Sequence, residues 1–128
     1  KVPTDGDTLY FYPGRMDGEL VGTAIETFTM QGFSGEIRIM VGLLPDGTIN
    51  DVALLEHGET PGLGDKMDRR KSDWSMQFQG KNPNDFKIAV TKDGGDIDAI
   101  TASTISSRAF CDAVVRAYTT YLNSGNNE

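Results

Sequence analysis

From Ser107 to Leu122 the apolar side chains recur in adjacent pairs: Ala109 and Phe110, Ala113 and Val114, Ala117 and Tyr118, Tyr121 and Leu122. Pairs repeating every four residues fall on one stripe of a 3.6-residue helix and on neither face of a strand. A helix with such a stripe needs an apolar surface to cover. The chain supplies one upstream. Glu36 to Leu43 alternates, with Ile37, Ile39, Val41 and Leu43 on one face and Glu36 and Arg38 on the other. That period of two is the mark of a half-buried strand. Hairpin-linked strands followed by one C-terminal amphipathic helix define an α+β class, with antiparallel strands packed against the helix.

The remaining strands are read from the same alternation. Leu9 to Tyr12 is a short aromatic strand candidate, which Pro13-Gly14 is expected to stop. After the Asp17-Gly18 turn, Glu19 to Met30 reads as a strand with Val21, Thr23, Ile25 and Thr27 on one face. Gly32 and Gly35 interrupt it. Pro45-Asp46-Gly47 closes a hairpin, since Pro presets φ and Gly accepts φ > 0. Ile49 to Glu56 is the return strand. His57 to Gly64 holds three glycines and a proline and is a loop. Asp65 to Phe78 is polar with sparse apolar residues and reads as short helical pieces. Phe86 to Val90 is a further strand candidate, and Lys92 to Gly95 a turn. The polar tail, Asn123 to Glu128, is expected to fray. With 128 residues, positions 1–128 are expected to form a single domain.

The composition excludes several functions. A net charge of −7 argues against nucleic acid, whose phosphates need Lys and Arg, and against direct contact with an anionic membrane surface. The single cysteine, Cys111, forms no internal disulfide and supports no cysteine-based metal site. No apolar run approaches the length of a bilayer span. Because the chain opens at Lys1 in a polar stretch, it reads as a processed or truncated piece with a targeting or membrane segment upstream.

The chemistry concentrates in Asp98-Ala99-Ile100-Thr101-Ala102-Ser103-Thr104-Ile105-Ser106-Ser107-Arg108, where five hydroxyls precede the amphipathic helix. A helix N-terminus offers unpaired N–H groups and the positive end of the dipole, so it stabilises an anion. Hydroxyls placed there cap the helix, bond a phosphate, or become esterified to one. A plain N-cap with spare serines is the competing reading. Across the chain, Gly62 and Gly64 let backbone approach a flat ring or a phosphate closely, while Pro61 stiffens the loop. A tight surface turn without ligand is the alternative there.

Two motifs in these segments resemble the FMN-binding domain carried by the G subunit of the Rnf ion-translocating electron-transport complex. They are also similar to that of the C subunit of the sodium-translocating NADH:quinone reductase. The family pattern reads approximately Asp-x-x-Ser/Thr-Gly-Ala-Thr, and Asp98, Thr101 and Thr104 match it, as does the Ile-Ser-Ser-Arg-Ala continuation. Ala102 and Ser103 depart from its Gly-Ala. Glu59-Thr60-Pro61-Gly62-Leu63-Gly64 matches the family loop Glu-Thr-Pro-Gly-x-Gly in every fixed position. Ser34-Gly35-Glu36-Ile37 and the Asp93 to Asp96 turn extend the match, and length and the continuing helix favour the Rnf relative.

The resemblance implies FMN esterified through its phosphate to Thr104, placed there from FAD by a separate Mg²⁺-dependent flavin transferase. It implies a flavin site that includes Thr101, Ser103, Ser106, Ser107, Asp98, Glu59, Thr60, Pro61, Gly62, Leu63 and Gly64. It further implies an electron-carrying domain on the extracytoplasmic side of a membrane complex, anchored by an upstream N-terminal helix and working with the other subunits. Alone, such a domain is expected to be a poor catalyst, and no dinucleotide fingerprint is present. The rivals are an FMN-binding domain cut from a larger flavin reductase, and a non-enzymatic secreted module that holds an anion at the same helix start.

Other candidates carry plainer readings. His57, beside the loop, is read as structural or as a hydrogen-bonding neighbour of the flavin. Trp74, Met76 and Phe78 cover the flavin ring or pack the core. Arg108 pairs with a phosphate or is solvated. Cys111 is a small buried apolar residue. Asp93, Asp96 and Asp98 lack the full oxygen-ligand spacing of a calcium loop.

Overall fold

A computed structural model of the chain describes residues 2–4, 7–59 and 61–125. Its alternating segments pair as one antiparallel meander of five strands: β1 (Val2–Thr4), β2 (Asp7–Met16), β3 (Glu19–Gly32), β4 (Gly35–Leu43) and β5 (Ile49–Glu56), in that spatial order. In the β3–β4 ladder Ile25 lies opposite Val41 and Thr27 opposite Ile39. The alternation in β4 is realised fully: Ile37, Ile39, Val41 and Leu43 are buried. One helix, α1 (Thr104–Gly125), covers that face with Ala109, Phe110, Ala113, Val114 and Ala117, all buried. Three short 3₁₀ turns among the described residues, Gly64–Met67, Trp74–Phe78 and Thr91–Asp93, lie between sheet and helix in the chain. The α+β reading holds.

The helix is fixed to the sheet by polar contacts as well as by packing. Thr27 Oγ1 donates to the Ala113 carbonyl at 3.1 Å, and Thr29 Oγ1 to the Asp112 carboxylate at 2.8 Å. Both threonines are buried on β3, so the hydroxyls need these partners. Trp74, Phe78 and Phe110 form an aromatic cluster with ring centroids 5.1–5.5 Å apart. It ties the second 3₁₀ turn beneath the start of α1. Trp74 and Phe78 are therefore core residues, and Met76, between them, points out to solvent.

Three boundaries differ from the expectations. β2 runs through Pro13 and Gly14 to Met16, with a register shift after Gly14. Beyond Leu9 it is an outer strand paired only with β3, where a proline without an N–H is tolerated. Phe86 to Val90 makes no strand; it forms a single bridge, Val90 to Ile97. The segment bonds to itself instead, through Ile97 N–H to the Ala89 carbonyl and Asp96 N–H to the Lys87 carbonyl. Its alternating Ile88 and Val90 are buried, so the pattern was a core signal rather than a ladder signal. Finally α1 continues to Gly125, so the expected tail is helical from Asn123 to Gly125, and 126–128 lie outside the described residues.

Candidate functional site

The run 98–103 reaches the helix as a clamped segment that turns at Thr101-Ala102. The Gln77 side-chain amide holds the Asp98 peptide on both sides: its oxygen accepts the Asp98 N–H at 2.8 Å and its nitrogen donates to the Asp98 carbonyl at 3.0 Å. The Trp74 indole N–H donates to the same carbonyl. The Asp98 main chain is thus what the fold grips. Ser107 closes the next turn, accepting the Ile100 N–H at 2.8 Å and donating to the Ser103 carbonyl at 2.9 Å. Ser107 is fully buried and occupied by this work. Between these anchors Ala102 takes a left-handed backbone, φ 62°, and α1 begins two residues later. The first-turn amides of α1 have no intrahelical acceptors and face whatever lies at the helix start.

Across from the helix start lies the glycine loop. Glu59 is 5% exposed, and its carboxylate accepts the Phe33 N–H at 3.0 Å, the Ser34 N–H at 2.9 Å and the Ser106 hydroxyl. One buried charge therefore joins the loop, the β3–β4 turn and α1. His57 Nδ1 accepts the Glu59 N–H at 3.0 Å, a structural role for the one histidine. The Gly62 N–H donates to Asp65 Oδ1 at 2.8 Å, with Gly62 at φ 82°. Gly64 touches the helix: a Cβ on it would stand 2.5 Å from Ser106 Oγ and 2.8 Å from Glu59 Cβ. The absence of a side chain at Gly64 is what lets loop and helix start meet.

The meeting leaves a cavity of about 130 Å³ lined by Phe33, Leu63, Gly64, Ala102, Ser103, Ile105 and Ser106. Of the residues expected at the site, Leu63, Gly64, Ser103 and Ser106 line it together. Thr104 is half-buried and bracketed by the lining residues Ser103 and Ile105. Thr101 is exposed and lies instead on a second groove of about 250 Å³ with Lys66, Ser72, Asp73, Trp74, Ala99 and Ile100. Pro61 and Gly62 are exposed at the loop surface. The Asp98 side chain is exposed, while Glu59 and Ser107 are turned into the fold. Thr60 lies outside the described residues.

Phe33 went unnoticed in the sequence, and Ile105 was read only as part of the continuation after Thr104. The available signal was an aromatic between glycines, Gly32-Phe33-Ser34-Gly35, where a turn has no structural need of one.

Neighbouring candidates resolve into structure. Arg108 forms a two-pronged ion pair with Asp93, at 2.8 and 3.0 Å, and this guanidinium holds the Asp93 carboxyl below its ordinary range. Cys111 is buried, and burial pushes its thiol up to about 12, so it is inert. Among the described residues no three His, Cys, Asp or Glu side chains are grouped to hold a metal.

A cofactor can be tested against this geometry. A dinucleotide or flavin pocket that engulfs its ligand measures roughly 300–1,000 Å³. The cavity here is smaller, so a flat ring fits against its apolar rim and not within it. Phosphate fits the helix start beside Ser103 and Thr104, where the amides and the dipole favour an anion. Fold and site together define a small α+β domain with a shallow, partly apolar cavity at the start of its helix.

A model of the FMN-binding domain matches residues 32–119, and the chain belongs to that family. The G subunit of the ion-translocating oxidoreductase complex of Erwinia tasmaniensis is 44% identical over 118 residues, covering 90% of this chain and 56% of the relative. The protein of the same name from Salmonella typhi is 48% identical over 106 residues, covering 80% and 52%. The chain thus spans about half the length of the curated relatives it matches. Among solved structures, Shewanella oneidensis NqrC superposes with a TM-score of 0.66 over 91% of this chain and 60% of that one. At 23% identity this likeness is one of fold.

Proposed function

We propose that this domain is an electron carrier whose FMN is joined by a phosphoester to Thr104. The observation that carries the reading is the convergence of two distant motifs on one cavity, with Gly64 pressed against Ser106. A glycine loop or a hydroxyl-rich helix start alone would be ordinary; both on one rim need a common ligand.

The chain's own residues divide the work. Attachment would join Thr104 Oγ to the phosphorus on the FMN side of FAD as the phosphoanhydride breaks and AMP departs, and the hydroxyl proton would pass to a flavin transferase. Among the described residues the Thr104 hydroxyl has no competing hydrogen bond, whereas Ser106 and Ser107 are engaged by Glu59 and the Ser103 carbonyl. That difference favours Thr104 over Ser106 and Ser107 as the residue modified. The first-turn amides of α1 offset the charge of the resulting diester. Leu63 and Ile105, both partly exposed, offer apolar surface to the ring. FMN, once bound, supplies one- and two-electron redox chemistry, and the protein supplies orientation. A covalent tether replaces affinity by effective concentration, so a shallow site suffices.

The names of the relatives support a place in an ion-translocating oxidoreductase complex; by family resemblance that complex is membrane-bound and its other subunits are the electron partners. No helix among the described residues is long and apolar enough to cross a membrane. By family resemblance the domain works on the extracytoplasmic side. Co-expression with a flavin transferase tests the reading: the intact mass should rise by one FMN less water, with yellow colour that survives denaturation. Colour lost on denaturation would leave a non-covalent site and sink the ester.

A further inference from the structure

The β3–β4 turn carries Phe33, which at 68% exposure is more open than any other large apolar side chain among the described residues. An exposed apolar residue needs no explanation by itself. Two observations set this one apart. The residue lines the cavity at the helix start with Leu63 and Ile105. Its main-chain N–H is also held by Glu59, the buried carboxylate that takes the Ser34 N–H and the Ser106 hydroxyl. A carboxylate is costly to bury unless donors surround it, and charge-assisted hydrogen bonds are the strong kind. Hairpin tips are usually among the loosest parts of a sheet. Here a tip is registered to the first turn of α1 through a single buried charge, and what the tip presents is an aromatic ring.

We infer that Phe33 is a wall for the flat ring of the flavin, and that Glu59 is a positioning residue which holds it there. The inference rests on the reading that FMN is attached at Thr104. Phe33 has no hydrogen-bonding group, so its contribution is contact with a flat π-system and exclusion of water from one face. Glu59 itself has its carboxylate engaged by three donors and acts only through Phe33 and Ser106. The shallow cavity needs such a wall. Its remaining large apolar lining, Leu63 and Ile105, is aliphatic and offers no stacking partner.

Flavin fluorescence reads the contact once an indole stands at the wall, because tryptophan stacked on a flavin quenches its emission by electron transfer and a phenyl ring does not. The samples are the chain and its variants, flavinylated by co-expression with a transferase and matched for covalent flavin by absorbance. Phe33→Trp should lower emission several-fold relative to the parent chain. Met30→Trp is the control: Met30 is 64% exposed on the same hairpin but does not line the cavity, and an indole there should leave emission unchanged. Glu59→Gln should restore much of the emission in the Phe33→Trp background. Emission unchanged by Phe33→Trp would overturn the wall. Quenching in Phe33→Trp that survives Glu59→Gln in full would overturn the positioning role. Phe33→Trp alters only an exposed tip, so the first result stands even if Glu59→Gln fails to fold. A parent chain with no covalent flavin contradicts the attachment itself, which the intact mass reports separately.

Discussion

Ala102 holds φ 62° with a Cβ, a conformation that costs an L-residue roughly 1–2 kcal/mol and that glycine adopts without penalty. The family pattern has glycine there, and the backbone explains why: the chain must turn left-handed to pass from the clamped Asp98 peptide into α1. Glycine loses more entropy on folding, which offsets part of the gain. Ala102→Gly should therefore stabilise the domain by about 0.5–1 kcal/mol, seen as a higher urea midpoint at unchanged slope. A lower midpoint would mean the left-handed turn is not the native one. The neighbouring residues show how one spacing yields different roles. Ser103, Ser106 and Ser107 were equivalent hydroxyls in the sequence, but Ser107 binds the Ile100 amide and Ser106 binds Glu59, so only geometry separates a structural hydroxyl from an available one.

Loop and helix meet as elements only because Gly64 has no side chain. Its Cβ would meet Ser106 Oγ at 2.5 Å, and Ser106 is held by Glu59 and has little room to give. Gly64→Ala should destabilise the domain by about 1–3 kcal/mol, the usual cost of overpacking, and should lower covalent flavin loading in the same preparation. Stability and loading both unchanged would separate the loop from the site. The periodic elements were legible from residues alone: α1 from its paired apolar stripe, β4 from Ile37 to Leu43, and the hairpin at Pro45-Asp46-Gly47. The irregular ones were not. Pro13 reads as a stop unless its strand is known to be an outer one, and Ile88 and Val90 alternate like a strand while packing a self-bonded segment. The two motifs were likewise visible separately, but their shared cavity, and Phe33 on its rim, depend on how β3 and β4 place a turn against a distant loop. No local spacing encodes that.

For the whole molecule, the tethered ring proposed for the shallow rim would suit exchange of electrons with a partner more than independent catalysis. Among the described residues the glycine-rich segments lie in hairpins, in the loop before Gly64 and in the self-bonded turn at Gly94-Gly95, and none opens the strand–helix–strand unit that binds a dinucleotide. The flavinylated domain should be reduced readily by dithionite and slowly by NADH in stopped-flow mixing. Rapid reduction by NADH without a partner would mark a self-sufficient reductase. The electron carriage proposed for this domain turns on one bond, so the most direct test is the position of the flavin in the chain. Peptide mapping of the co-expressed protein should place FMN on Thr104, and Thr104→Ala should abolish covalent colour while Thr101→Ala retains it. Flavin found on Thr101, Ser103 or Ser106, or colour undiminished in Thr104→Ala, would contradict it.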